Sequence, residues 1–135
     1  MTATGKRTLL GFDYGLERIG VAVGQEITGS ANPLTTVKSS NGAPDWPAIE
    51  KLITEWKPGA FVVGMPFNMD GTEGDMCKKA RRFGNQLNGR YNLEVHWIDE
   101  RLSSLQAERQ KNSKHTTDEL AAQIILQAWL DEHGN

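Results

Sequence analysis

Cysteine occurs once in these 135 residues, at Cys77, and histidine three times, at His96, His115 and His133. A single thiol excludes an internal disulfide and any multi-thiolate zinc site, and the scattered histidines offer no metal-ligand spacing. Proline is sparse, at 5 residues against 14 glycines, and no repeat, low-complexity tract or long linker interrupts the chain. No apolar run approaches the roughly 18 to 20 residues of a bilayer-spanning helix, and no signal-peptide core follows Met1 to Arg7, so no membrane partner and a cytoplasmic location are expected. An excess of one charge is also missing: 15 Lys and Arg against 17 Asp and Glu give −2. The whole-molecule field does not favour a polyanion, and nucleic-acid binding must be argued from local features. The length fits one domain, expected to run from 1 to 135.

The apolar pattern alternates between strand and helix periods. Thr8 to Phe12 and Ile19 to Val23 are short, β-rich runs separated by too few residues for a crossover helix, which predicts an antiparallel hairpin. A weaker extended stretch lies near Leu34 to Val37, and Ser39 to Pro44 reads as a surface loop. Ala60 to Gly64 and Leu93 to Ile98 are strands expected to follow helices in parallel βαβ fashion. Asp45 caps a helix with the stripe Trp46, Ile49, Leu52, Ile53 and Trp56, stopped by Pro58-Gly59. A second helix, from near Thr72, buries Met76, Ala80, Phe83 and Leu87 and leaves Lys78, Lys79, Arg81 and Arg82 mostly outside. That basic run reads first as a solvated helix face and second as a nucleic-acid contact. Ser103 with Gln106 and Thr116 with Glu119 are capping boxes. The latter opens a closing helix with core positions Ala121, Ile124, Ile125, Ala128 and Trp129. Cys77 reads as a packing residue and His96 as a strand residue.

Carboxylates stand at three element ends. Asp13 closes the first strand before a turn containing Gly15, the alternation through Val95 to Ile98 stops at Asp99-Glu100, and Asp118 sits in the first turn of the closing helix. Clustered acids with no Cys or His companion suit a hard, oxygen-preferring cation, Mg²⁺ or Mn²⁺. Phosphodiester hydrolysis needs an activated water, a stabilised leaving oxygen and neutralised phosphoryl charge, which two metals about 3.5 to 4 Å apart supply together, with Asp13 as the bridging ligand. Each acid also has a plainer reading: Asp13 as a turn residue, Asp118 as a helix-dipole partner, Asp99 and Glu100 as surface partners of Arg101 or Arg109. Their combination carries the functional reading. Arg101, Arg109, Lys111, Lys114 and His115 form a basic cluster beside Glu100 that suits phosphates flanking the scissile one.

Four segments, Gly11 to Ala22, Val63 to Thr72, Asp99 to Ser103 and Asp118 to Leu126, resemble in order and over nearly the whole chain the YqgF (RuvX-like) family of pre-16S rRNA nucleases. The resemblance implies an α/β, ribonuclease-H-like fold: a mixed five-stranded sheet, antiparallel hairpin first and later strands parallel, flanked by helices. It implies metal-dependent processing of the 5′ end of pre-16S rRNA, with pre-16S rRNA or ribosomal precursor particles as partner. It also implies a catalytic, metal-holding triad of Asp13, Glu100 and Asp118. Arg18 and Arg101 match basic motif positions that either contact phosphate or pair with the acids, Asn68 and Asp70 lie in a signature loop where they either touch substrate or fix a turn, and Lys111 and Lys114 of the basic cluster complete the substrate-binding candidates. Cleavage of branched DNA, as in a Holliday-junction resolvase, and a non-catalytic RNA-binding role in ribosome assembly are the competing expectations. The segment from Gln110 to Thr117 is shorter than in the family pattern, which bears on substrate grip.

Overall fold

The computed structural model describes residues 6–100 and 117–133. Six strands and three helices follow one another: β1 (Thr8–Asp13), β2 (Arg18–Gln25), β3 (Ser30–Ser40), β4 (Ala43–Pro44), α1 (Trp46–Trp56), β5 (Ala60–Met65), α2 (Asp75–Tyr91), β6 (Glu94–Asp99) and α3 (Thr117–His133). They form one sheet of order β4-β3-β2-β1-β5-β6. The expected hairpin is β1 with β2, and β5 and β6 run parallel to β1.

Two of the sequence expectations change at β3 and β4. The third strand spans eleven residues rather than four, because Pro33 lies opposite Ala22 at a register shift in the β2–β3 ladder, where a residue without an amide proton is tolerated. The expected surface loop is a tight hairpin: Asn41 and Gly42 take positive φ values of 51° and 88°, the pattern of a two-residue Asn-Gly turn. It adds β4 as a sixth strand where five were expected.

The helices sit where their apolar stripes place them. Asp45 accepts from the Ala48 amide at the start of α1, and Lys57 ends that helix in the left-handed conformation. The second helix begins at Asp75 rather than near Thr72. The intervening residues close on themselves: the Asn68 amide donates to the Thr72 carbonyl, and Asp70 accepts from both the amide and the hydroxyl of Thr72. Met76, expected in the core, is half-buried, and Cys77, Ala80, Phe83, Gly84 and Leu87 form the buried stripe.

Strand alternation divides the buried side chains between the two faces of the sheet. Leu10, Phe12, Val21, Val23, Phe61 and Val63 pack with α1 and α2. Leu9, Ala22, Ala31, Ala60, Val62 and Ile98 pack with α3. The second face is lined with small residues, which fixes how closely α3 approaches. A methyl group at Gly11 would lie 2.8 Å from Leu126 Cβ, one at Gly24 2.9 Å from Leu126 Cδ2, and one at Gly20 would overlap the Asp118 carbonyl. Close seating also explains the helix register. Leu120, Ala122, Leu126 and Leu130 join Ile124, Ile125 and Trp129 in the core, whereas Ala121 and Ala128 are only half-buried. The Ser103–Gln106 capping box and Thr116 lie outside the described residues, as does the side chain of Thr117. No helix among the described residues is long and apolar enough to cross a membrane.

Arg7 and Glu26 secure the opposite edge of the hairpin. Arg7 donates to Glu26 from its amide (2.7 Å), Nε (3.0 Å) and Nη2 (3.2 Å), and Nη1 reaches Glu94 at the start of β6 (3.0 Å). This network holds the Glu26 carboxyl below the usual range. Charge-assisted hydrogen bonds around a nearly buried carboxylate are the strong kind.

Candidate nuclease site

Asp13 is the last residue of β1, and its side chain follows the parity of Leu9 and Gly11, toward α3. Glu100 comes directly after β6 and shares the parity of Ile98, so it faces the same side, while Asp99 shares that of Trp97. Alternation therefore separates the two acids that the sequence left together. The parallel pairing of β1 with β5 and of β5 with β6 brings both strand ends to one edge of the sheet. There the Asp13 and Glu100 side chains share a hydrogen bond. Gly64 makes room for it: a methyl group at that position would lie 2.6 Å from Glu100 Cγ and 2.6 Å from Ile125 Cδ1. Asp118, in the first turn of α3, is close enough for its charge to raise the Asp13 pKa.

The electrostatics follow from this crowding. Burial pushes the Asp13 carboxyl up, and Asp118 adds to the rise, while the hydrogen bond from Glu100 offsets part of it. Burial and the neighbouring Asp13 push Glu100 up to about 9. Both carboxyls are thus raised, and a hydrogen bond joins them. A pair of carboxyls kept apart in ionisation by like charge is a common signature of a reactive or cation-holding site.

The remaining expected residues divide into three groups. Arg18, the first residue of β2, donates from Nε to Asp118 Oδ2 at 2.9 Å. Gly15, Leu16, Glu17, Arg18, Asn41, Met76 and Asp118 line an opening of about 480 Å³ beside the acids. Asn68 and Asp70 lie on the exposed turn after β5, where Asn68 donates to the Thr72 hydroxyl and Asp70 accepts from it. They shape their own turn, and it leaves β5 at the same sheet edge. Arg101, Lys111 and Lys114 lie outside the described residues, as do Arg109 and His115.

The donor set, all carboxylate oxygens, suits a hard divalent cation such as Mg²⁺. Among the described residues no group of three His, Cys, Asp or Glu side chains is already gathered closely enough to hold a metal ion. Asp13 and Glu100 are in contact, and Asp118 stands beside them engaged with Arg18.

The family model described as "RuvX: Holliday junction resolvase" matches residues 7–132. The chain belongs to the RuvX family. A protein of Nitrosococcus oceani named "Putative pre-16S rRNA nuclease" is 53% identical over 93% of this chain and 88% of its own length. One of Pseudomonas fluorescens with the same name is 55% identical over 93% of this chain and 92% of its own. Among solved structures, Thermus thermophilus RuvC in complex with a Holliday junction substrate matches with a TM-score of 0.55 at 16% identity, covering 93% of this chain and 94% of that one. The fowlpox virus Holliday junction resolvase matches with a TM-score of 0.56 at 11% identity, covering 93% and 99%. These structural likenesses establish the ribonuclease-H-like fold of this RuvX-family nuclease.

Proposed function

We propose that this RuvX-family nuclease hydrolyses RNA phosphodiester bonds at Asp13, Glu100 and Asp118, and that its substrate in the cytoplasm is the 5′ extension of pre-16S rRNA. The observation that carries the reading is the Asp13–Glu100 carboxyl pair, buried at the sheet edge within reach of the Asp118 charge. The name carried by relatives about half identical to this chain supports the choice of RNA.

A divalent cation, Mg²⁺ or Mn²⁺, bound to these carboxylates would supply charge neutralisation on the phosphoryl oxygens and lower the pKa of the attacking water. The chain's own residues set the stage. Asp13 and Glu100 present oxygens toward α3, with the proton they share occupying the place between them. Asp118 completes the set from the first turn of α3. Arg18 fixes that carboxylate's orientation and brings positive charge to the opening where a phosphate enters. Close packing of α3 on Gly20, whose cross-strand partner is Asp13, sets the Asp118 backbone against the sheet beside Asp13.

The test is cleavage of a 5′-extended 16S precursor fragment with Mg²⁺ or Mn²⁺, wild type beside Asp13→Asn, with EDTA and a four-way DNA junction as controls. Metal-dependent RNA cutting that is lost in the variant is the expected result. The family description and the junction-bound neighbour favour a second substrate, branched DNA. Preferential cutting of the junction would replace RNA with that substrate. RNA binding by folded protein that cuts neither would replace hydrolysis with an assembly role.

A further inference from the structure

A second concavity, of about 280 Å³, opens on the opposite side of the Asp13–Arg18 turn from the acids. Tyr14, Asn41, Trp46, Lys79, Arg82 and Gln86 contribute to its walls. Its volume is near the lower end of the roughly 300 to 1,000 Å³ that encloses a small organic molecule, a space for one nucleotide and far too small for a duplex. The cleft is built rather than incidental. The Tyr14 hydroxyl donates to the Gly42 carbonyl at 2.6 Å, and the Gly42 amide donates to the Leu16 carbonyl at 2.9 Å, so the β3–β4 turn is clamped onto the turn that follows Asp13. A methyl group at Gly42 would lie 2.7 Å from that hydroxyl. Tyr14 in turn packs on Phe83 of α2, with ring centroids 5.1 Å apart.

Of the five cations of α2, Lys78 stands within reach of the Glu73 charge and the other four separate into two kinds. Arg81 pairs with Glu73 at 2.9 Å and lies over Trp97, and Arg90 lies 4.1 Å from the Trp46 ring centroid. Elsewhere Arg7 and Arg18 each hold a carboxylate. Lys79 and Arg82, exposed and three residues apart on α2, neither pair with a carboxylate nor lie over a ring among the described residues, Arg82 acting by charge on the Tyr14 hydroxyl, and both border the cleft. One turn before Lys79, Met76 borders the opening that holds Asp118 and Arg18, and Asn41 borders both concavities. Asn41 thus forms a wall common to the two concavities.

We infer that this cleft is a subsite for a single-stranded nucleotide next to the scissile phosphodiester, with the strand's phosphates on Lys79 and Arg82 and its sugar or base edge against Asn41 and Gln86. The inference rests on the nuclease reading and adds to it a direction, from the acids past Tyr14 onto α2. It also requires the substrate to be unpaired at that point, because a duplex does not enter a space of this size.

The experiment measures anisotropy of fluorescein-labelled single-stranded RNA, single-stranded DNA of the same sequence, and a duplex, in EDTA, with wild type, Lys79→Ala, Arg82→Ala, the double variant and Lys51→Ala, a solvent-exposed lysine on α1. The double variant is expected to bind both single strands about tenfold more weakly, with a salt slope smaller by about 1.4, two contacts at roughly 0.7 each. Duplex affinity should change no more than in Lys51→Ala. An unchanged single-strand affinity, or an equal loss on the duplex, would overturn the assignment. Cleavage in Mg²⁺ is read separately. Its absence from wild type refutes hydrolysis and leaves the affinity result to judge the cleft, whereas normal cleavage with unchanged affinity refutes the cleft alone.

Discussion

Arg18 Nε lies 2.9 Å from Asp118 Oδ2 across 100 positions of sequence, joining the first residue of β2 to the first turn of α3. The contact is exposed on the arginine side, so its stabilising effect is small, and its role is orientation. Arg18→Ala should lower RNA cleavage by about 10- to 100-fold, the usual cost of losing a residue that positions a metal-site ligand. Its thermal melting curve should match wild type. Arg18→Lys should recover only part of the loss, because it restores the charge without the planar donor. Equal activity in all three proteins would show that Asp118 needs no positioning.

The raised Glu100 pKa makes stability depend on pH in a definite direction. The folded protein keeps a proton up to about 9 that the unfolded chain releases near the ordinary 4.5. Between those values folding binds protons, so this group's contribution is largest below pH 4.5, declines as pH rises and levels off above 9. Asp13, raised for similar reasons, acts in the same sense. In Glu100→Gln the decline should be shallower, so the variant gains on wild type as pH increases through the window. Melting temperatures recorded from pH 5 to 9 check this; curves that stay parallel would refute the shared proton.

Two glycines offer a matched pair. Gly64→Ala drives a methyl group onto Glu100 Cγ and Ile125 Cδ1, which should cost about 1 to 3 kcal/mol and displace Glu100. Gly89, in α2, has open space around its Cα, so Gly89→Ala should be neutral or stabilising by up to about 1 kcal/mol. Urea denaturation gives both values. At a temperature where both variants are fully folded, Gly64→Ala should cleave RNA far more slowly than Gly89→Ala. Equal rates would mean that the Glu100 position does not matter.

The acids were legible in the sequence because each stands where a regular apolar pattern stops, and a parallel βαβ reading already brings such ends together. Asp99 and Glu100 could be told apart only by carrying strand parity through Ile98, which depends on knowing which face α3 covers. The register of α3 was not legible for a related reason. Gly11, Gly20 and Gly24 shift the buried stripe toward Leu126 and Leu130, and glycine gives no signal in a hydrophobic pattern. The β3–β4 hairpin was legible in principle, since Asn41-Gly42 is a strong turn dipeptide, but Ser39, Ser40 and Pro44 around it carry no strand pattern. Lys79 and Arg82 looked like any solvated helix face. Only the partners of Arg81 and Arg90 distinguish them.

The glycine-lined seat of α3 also ties the candidate site to the core. The α3-facing core cluster draws its members from the sheet and from α3 itself, and the helix that covers Leu9, Ala22 and Val62 is the one that delivers Asp118. Without α3 the sheet would keep Asp13 but leave Leu9, Ala22 and Val62 uncovered and lack Asp118. One helix thus covers the apolar face and carries the third candidate acid, so a substitution that loosens α3 acts on stability and on the candidate site together.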